Sequence, residues 1–223
     1  MGKFLLGLVV LAGSLMTPVS RAKVQFDVGA RIGYAIPGGR IADHPAFLED
    51  GVSDKTDSFA AGAIPIGLEG GVRVVPMLSL GLFAEVAPGI LSTRIKNNCD
   101  YSSIHCTITG LGLGVMAHVH FLPYQQVDPW LGVGAGFGGL DLTVTNDAHA
   151  KGQLTFTGYE FPFRVGVDFK LNDKFYLGPY VSYTFGRYIG LDCDATDCPS
   201  SGIGRTASHS WTGFGAKLTV LAY

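Results

Sequence analysis

Apolar and polar residues alternate along most of the chain. In 24–36, Val24, Phe26, Val28, Ala30, Ile32, Tyr34 and Ile36 take every second position, with Gln25, Asp27, Gly29, Arg31, Gly33 and Ala35 between them. Successive side chains of a strand leave on opposite faces, so this segment predicts a strand with one apolar face and one polar or small face. The pattern returns in about 62–75, 78–91, 108–121, 130–143, 153–171, 175–187 and 209–223. The connections near 75–77, 122–129 and 172–174 are short, whereas those near 37–61, 92–107, 144–152 and 188–208 are long and polar. Eight strands joined by alternately short and long connections predict an all-β chain, an eight-stranded antiparallel up-and-down barrel. Both termini then lie at the short-turn end, with four long loops at the other.

Alternation alone also fits a soluble, lipocalin-like barrel. The polar face decides between the two. Asp27, Arg31, Glu69, Arg73, Glu85, Glu160 and Arg164 share that face with many glycines. Glycine covers little as an exterior, but facing a narrow lumen it leaves room for Arg, Tyr and Glu opposite. The apolar face is therefore expected to meet lipid and the charged face to line the lumen. Glycines and charges interrupt every apolar stretch after the first, so a membrane-spanning chain of this sequence must close its sheet edges in a barrel.

The first 22 residues stand apart. Lys3 precedes the apolar run 4–16, and Ser20-Arg21-Ala22 puts small residues at the −3 and −1 positions of a cleavage site. Residues 1–22 are expected to be a signal peptide cleaved after Ala22, leaving 23–223 as the barrel domain. The run is shorter than the ~20 residues of a spanning helix. Composition agrees: 47% of residues are hydrophobic and 15% charged. The formal charge of −2 gives no reason to expect a nucleic-acid partner.

On these features the chain resembles the small eight-stranded outer-membrane barrels, among them the membrane domain of outer-membrane protein A and the outer-membrane protein W type. The resemblance spans about 23–223 and rests on the signal peptide, the eight strands and the terminal aromatic Tyr223 after Leu218-Thr219-Val220-Leu221-Ala222. It implies a bacterial outer-membrane location, contact with lipid and lipopolysaccharide, and recognition of the last strand by the barrel-assembly machinery through Tyr223. Tyr223 departs from the pattern in being out of phase with Phe214, Leu218 and Val220.

Several local motifs carry candidate chemistry. The run 134–139 matches G-x-G-x-x-G, but strand continues after it where a dinucleotide site needs a helix, so it reads as a lumen glycine stripe. Cys99 with Cys106, and Cys193 with Cys198, form two local pairs. An oxidising compartment favours two disulfides over a zinc site, which would need distant loops to converge. Asp192, Asp194 and Asp197 lack the Gly and Glu of a calcium loop and read as a solvated tip. His118 and His120 share the lumen face with no third ligand. His209 is adjacent to Ser208 and Ser210, and strand neighbours point to opposite faces, so the hydrogen bond that a nucleophile needs is not available. No cofactor, metal or catalytic residue is assigned, and the barrel is expected to be monomeric.

Counted from the turns at ~3.3 Å per residue, Arg31, Glu69, Glu85 and Arg164 reach a similar height. They are expected to form an ion-paired layer that plugs the lumen. The function expected is that of a non-enzymatic integral barrel with a structural or surface-interaction role. The alternative is passage of small or hydrophobic solutes, as proposed for the W-type barrels.

Overall fold

Backbone pairing carries the alternating segments around a closed ring. The structure, a computed structural model, describes residues 25–40, 55–101, 104–146, 151–194 and 207–222. The expected signal peptide, Cys198, Asp197 and Tyr223 lie outside these. Among these residues the strands are β1 (Gln25–Gly39), β2 (Ala60–Ala63), β3 (Ile66–Val75), β4 (Leu78–Leu91), β5 (Ile104–His120), β6 (Val127–Asn146), β7 (Lys151–Lys170), β8 (Phe175–Asp194) and β9 (Ser208–Ala222), with a 3-10 turn at Thr56–Ser58 and one α-helix, α1 (Thr93–Tyr101), between β4 and β5. Neighbours in sequence pair antiparallel, and β9 closes on β1 from Phe26↔Ala222 to Gly39↔His209.

The ring has eight strands because β2 and β3 occupy one place in the wall. The alternation predicted a single strand over 62–75, but Pro65 has no N–H to donate and interrupts the ladder there. Both halves stay in register with the same neighbours: Ala63 opposes Ala35, and Ile66 opposes Ile32. The break is bridged by the Gly33 N–H donating to the Pro65 carbonyl (3.0 Å) and the Ile64 N–H donating to the Pro88 carbonyl (2.9 Å).

Three connections differ from expectation. β6, β7 and β8 each run 20 residues, about twice the ~9–11 that cross a bilayer, so part of each expected loop is strand. Once the wall leaves lipid the apolar face is no longer required, and the alternation fades while the pairing continues. The second expected loop contains α1. The Ile95 N–H donates to Ser92 Oγ (3.4 Å) in the manner of an N-cap, and the Lys96 N–H donates to the Ser92 carbonyl (2.9 Å). The Cys99–Cys106 disulfide fastens the helix to β5. At the opposite end the turn at 171–174 is tied by Asn172 Oδ1, which accepts from the Lys174 and Phe175 N–H groups.

The apolar face is the outside of the barrel. Leu82 (64%), Leu113 (63%) and Phe137 (74%) are among many large exposed apolar side chains, while Arg31, Glu69, Arg73, Asp128, Arg164, Asp168 and Lys217 are buried within. A soluble barrel would put its core where these charges are, and exposed apolar surface this continuous marks contact with lipid. Replacing Leu82 by Arg is therefore expected to cost ~2–4 kcal/mol in urea unfolding of the vesicle-inserted protein. A change within ~0.5 kcal/mol, as for ordinary surface substitutions, would show that this face meets water.

Candidate functional site

The polar face of the sheet converges in the lumen, whose contents are layered along the barrel axis. At the short-turn end the connection 121–126 folds Tyr124 back across the mouth. Tyr124 adopts φ 69°, the left-handed region that non-glycine residues rarely occupy. Its hydroxyl donates to Gln25 Oε1 (2.7 Å), and the Arg73 guanidinium lies 5.6 Å over its ring. Arg73 Nε is 3.6 Å from Asp27 Oδ2. These contacts hold the strained backbone in place.

Above this lid, His120 Nδ1 lies 2.8 Å from Asp128 Oδ2, and Asp128 Oδ1 accepts the Leu122 N–H (3.2 Å). Trp130 Nε1 donates to Asp168 Oδ1 (2.9 Å), and Lys217 Nζ stands 4.3 Å over the Trp130 ring. His118 packs edge-on against Trp130, with ring centroids 5.4 Å apart.

The central layer brings Arg31, Glu69, Glu85 and Arg164 together. Arg31 Nη1 donates to Glu85 Oε2, and Arg31 Nε lies 3.9 Å from Glu69 Oε2. Arg164 Nη1 is 3.3 Å from Glu69 Oε2, and its Nη2 is 4.0 Å from Glu85 Oε2. Each arginine faces both glutamates. Lys217, which was not assigned to the cluster from sequence, joins it with Nζ 2.7 Å from Glu69 Oε1. The Arg164 guanidinium also lies 5.1 Å from the centre of the Phe83 ring. Glycine makes the layer possible in a narrow barrel: a Cβ on Gly67 would lie 2.6 Å from Arg31 Cζ, and one on Gly29 would lie 2.7 Å from Glu69 Cγ.

Over the layer is a cavity of about 60 Å³, with Arg31, Glu85 and Arg164 below and Ala60, Ile108 and Tyr188 above. Beside it His209 Nε2 lies 3.1 Å from Glu160 Oε1, and the His209 ring stacks on Tyr188 with centroids 4.0 Å apart. The alternation of burial along β9 turns His209 inward, away from Ser208 and Ser210. The external end is closed by a cluster of Phe59, Ala60, Ile108, Leu140, Phe156, Tyr188 and Ala207. Phe59 and Ala60 belong to the first long connection, which dips into the mouth. Sequence periodicity gives no sign of this cap, because its members come from six different parts of the chain.

Cys193 is disulfide-bonded, while Cys198 lies outside the described residues. Among the described residues no group of three or more His, Cys, Asp or Glu side chains is arranged to hold a metal ion.

No protein-family model matches the chain, and no curated protein matches it. Solved structures do. Neisserial surface protein A aligns with TM-score 0.54 at 14% identity, over 87% of this chain and 96% of that one. OprG of Pseudomonas aeruginosa aligns with TM-score 0.55 at 9% identity, over 90% and 96%. AlkL aligns with TM-score 0.52 at 13% identity, over 92% and 95%. The fold is thus that of the small outer-membrane β-barrels. At these identities the likeness establishes architecture and not activity.

The central layer has a measurable consequence. Arg164→Ala strands Glu69 among fewer cations, and Glu69→Ala strands Arg164 and Lys217. Each single change is expected to cost roughly 3–5 kcal/mol, the cost of an unpaired buried charge. The double variant should lose clearly less than the sum of the two in urea unfolding. Strict additivity would mean that the two side chains do not depend on each other.

Proposed function

We propose that this chain is a closed, non-enzymatic barrel of the outer membrane with a structural or surface-interaction role. Residues 1–22 serve as its cleaved export signal and 23–223 as its monomeric barrel, with Tyr223 presented to the assembly machinery. The observation that carries the reading is closure of the lumen at three heights: the Tyr124 lid, the Arg31–Glu69–Glu85–Arg164–Lys217 layer and the Phe59–Phe156–Tyr188 cap. Eight strands enclose an interior just wide enough for side chains, and here side chains fill it. The 20-residue strands β6, β7 and β8 support the surface role, since they carry their connections well clear of the apolar belt.

A second reading, lateral passage of small apolar solutes, is favoured by one feature. A groove of about 540 Å³ in the wall is lined both by the lumen-side Glu85, Gly112 and Gly138 and by the lipid-side Leu113, Phe137 and Ile189. Glu85 and the nearby Glu160 make its inner end polar, which suits an apolar solute poorly.

Planar-bilayer recording separates the alternatives for ions. The closed barrel is expected to give no sustained open-channel current, and large steady currents from the unaltered protein would overturn it. Vesicle uptake of a small apolar solute tests the lateral route, with no uptake above empty vesicles expected. Non-reducing peptide mapping is expected to join Cys193 to Cys198. A peptide joining Cys193 to any other cysteine would rule that pairing out.

A further inference from the structure

The β4–β5 ladder ends at Pro88↔Thr109. Pro88 lacks an N–H, and its carbonyl faces the other neighbour, accepting the Ile64 N–H (2.9 Å). Beyond this point, among the described residues, β4 pairs only with β2, through Gly89, Ile90 and Leu91. β5 continues with β6 as far as Ile104↔Asn146. The two strands part, and α1 spans the opening, held against β5 by the Cys99–Cys106 disulfide.

The result is a groove of about 460 Å³ on the outer face of the barrel, at its long-loop end. Its floor includes Pro88 and Ile90, which continue the outward row of Leu80, Leu82, Ala84 and Val86. The lower end is therefore continuous with the lipid-facing belt. Its upper rim carries Lys96 and His105, both exposed, together with Thr107 and Asp100. Lys96 makes no side-chain ion pair among the described residues. Where the strands part, the facing edge of β5 has no strand partner among the described residues, which leaves its backbone polar groups a place to meet a hydrogen-bonding headgroup. An added peptide strand fits poorly, because the β4 side of the opening is three residues long and strands usually run to about five or six.

An apolar trough that opens into the belt, with the Lys96 ammonium and hydrogen-bonding groups, the His105 imidazole among them, beside Asp100 at its upper end, matches an anionic lipid standing in the outer leaflet. We infer that this groove binds one phosphorylated acyl-glycolipid, the lipid A part of lipopolysaccharide. Its phosphate sits at Lys96 and His105, and one acyl chain lies along Pro88 and Ile90. This rests on the reading of the chain as an outer-membrane barrel with its long-loop end outward. It adds a defined site where that reading requires only general lipid contact.

The test is native mass spectrometry of the full mature chain in detergent micelles, titrated with bis-phosphorylated lipid A, dephosphorylated lipid A and phosphatidylglycerol. One bisphosphorylated lipid A per barrel is expected to be retained. Lys96→Glu should weaken that retention at least tenfold, and Lys174→Glu, in a turn at the opposite end of the barrel, should leave it unchanged. Opening the disulfide with Cys99→Ser and Cys106→Ser should weaken it too, because α1 is then no longer held over the groove. Equal retention by the Lys96 and Lys174 variants would overturn the site. Equal retention of dephosphorylated lipid A would overturn the phosphate contact, and equal retention of phosphatidylglycerol would overturn the glycolipid. Each variant is first checked for the heat-dependent gel shift of a folded barrel. If the unaltered protein lacks that shift, the barrel reading itself fails. If the site alone is wrong, the shift persists while the lipid preference disappears. Should the cysteine variant not fold, Lys96→Glu decides.

Discussion

The constraint on which everything else depends is the pairing of β9 with β1. Lipid offers no hydrogen bonds, so an open sheet edge within it would leave a row of N–H and C=O groups unsatisfied at several kcal/mol each. Fourteen consecutive register pairs, Phe26↔Ala222 through Gly39↔His209, remove that edge. Closure at eight strands then fixes a narrow interior. That interior determines which residues the inward face can carry: large polar groups at some positions, and glycine wherever a neighbour must cross the axis.

Charges in such an interior are tolerable only in company. Each buried arginine of the central layer faces two carboxylates, and Glu69 faces Arg31, Arg164 and Lys217 together. Above and below the layer the same principle recurs with other partners. His120 is placed beside Asp128, His209 beside Glu160, and Trp130 offers its N–H to Asp168. A network of this kind is a weak source of stability compared with an apolar core of equal volume, but it is costly to break at any one point. That combination fixes the contents of the lumen more firmly than it stabilises the barrel. The strained φ of Tyr124 belongs to the same logic: the residue occupies an unfavourable backbone region because its ring and hydroxyl close the mouth against Arg73 and Gln25.

Much of this was legible in the sequence, and the parts that were not share a cause. Period-two alternation gives the strands and their faces directly, because each side chain's direction depends only on its position in its own strand. Counting from the turns puts Arg31, Glu69, Glu85 and Arg164 at a common height by the same local arithmetic. Lys217 escaped that count because the stagger of a barrel shifts strands past one another and a long side chain reaches beyond its own level. The break at Pro65 hides because Ile64 and Ile66 keep the apolar rhythm across it. α1 hides because 93–101 is short and mostly polar, with only Ile95 and Cys99 on one apolar strip; it is held by the Ser92 cap, the disulfide and the packing of Ile95 against the apolar cluster. The cap of Phe59, Phe156 and Tyr188 is tertiary throughout and leaves no periodic trace.

A filled interior also decides where such a protein can differ from its neighbours. Structures with 9–14% identity to this chain share its wall, since an apolar exterior, closed pairing and small inward residues can be met by many sequences. What a lumen packed with ion pairs cannot do is vary freely, because each replacement must keep its partners satisfied. Freedom to specialise therefore lies at the ends, where strands outrun the bilayer and backbone can leave the ladder without penalty from lipid. Pro88 is one such point of release. The β4–β5 ladder ends there, near the top of the belt, and the two neighbouring strands part at the level where lipid gives way to water. A gap in the wall lower down would expose unpaired backbone to hydrocarbon, whereas at this height water, a headgroup or α1 can meet it. The end of the β4–β5 pairing at Pro88↔Thr109 thus marks where the constraint that lipid places on the wall gives way to freedom to vary.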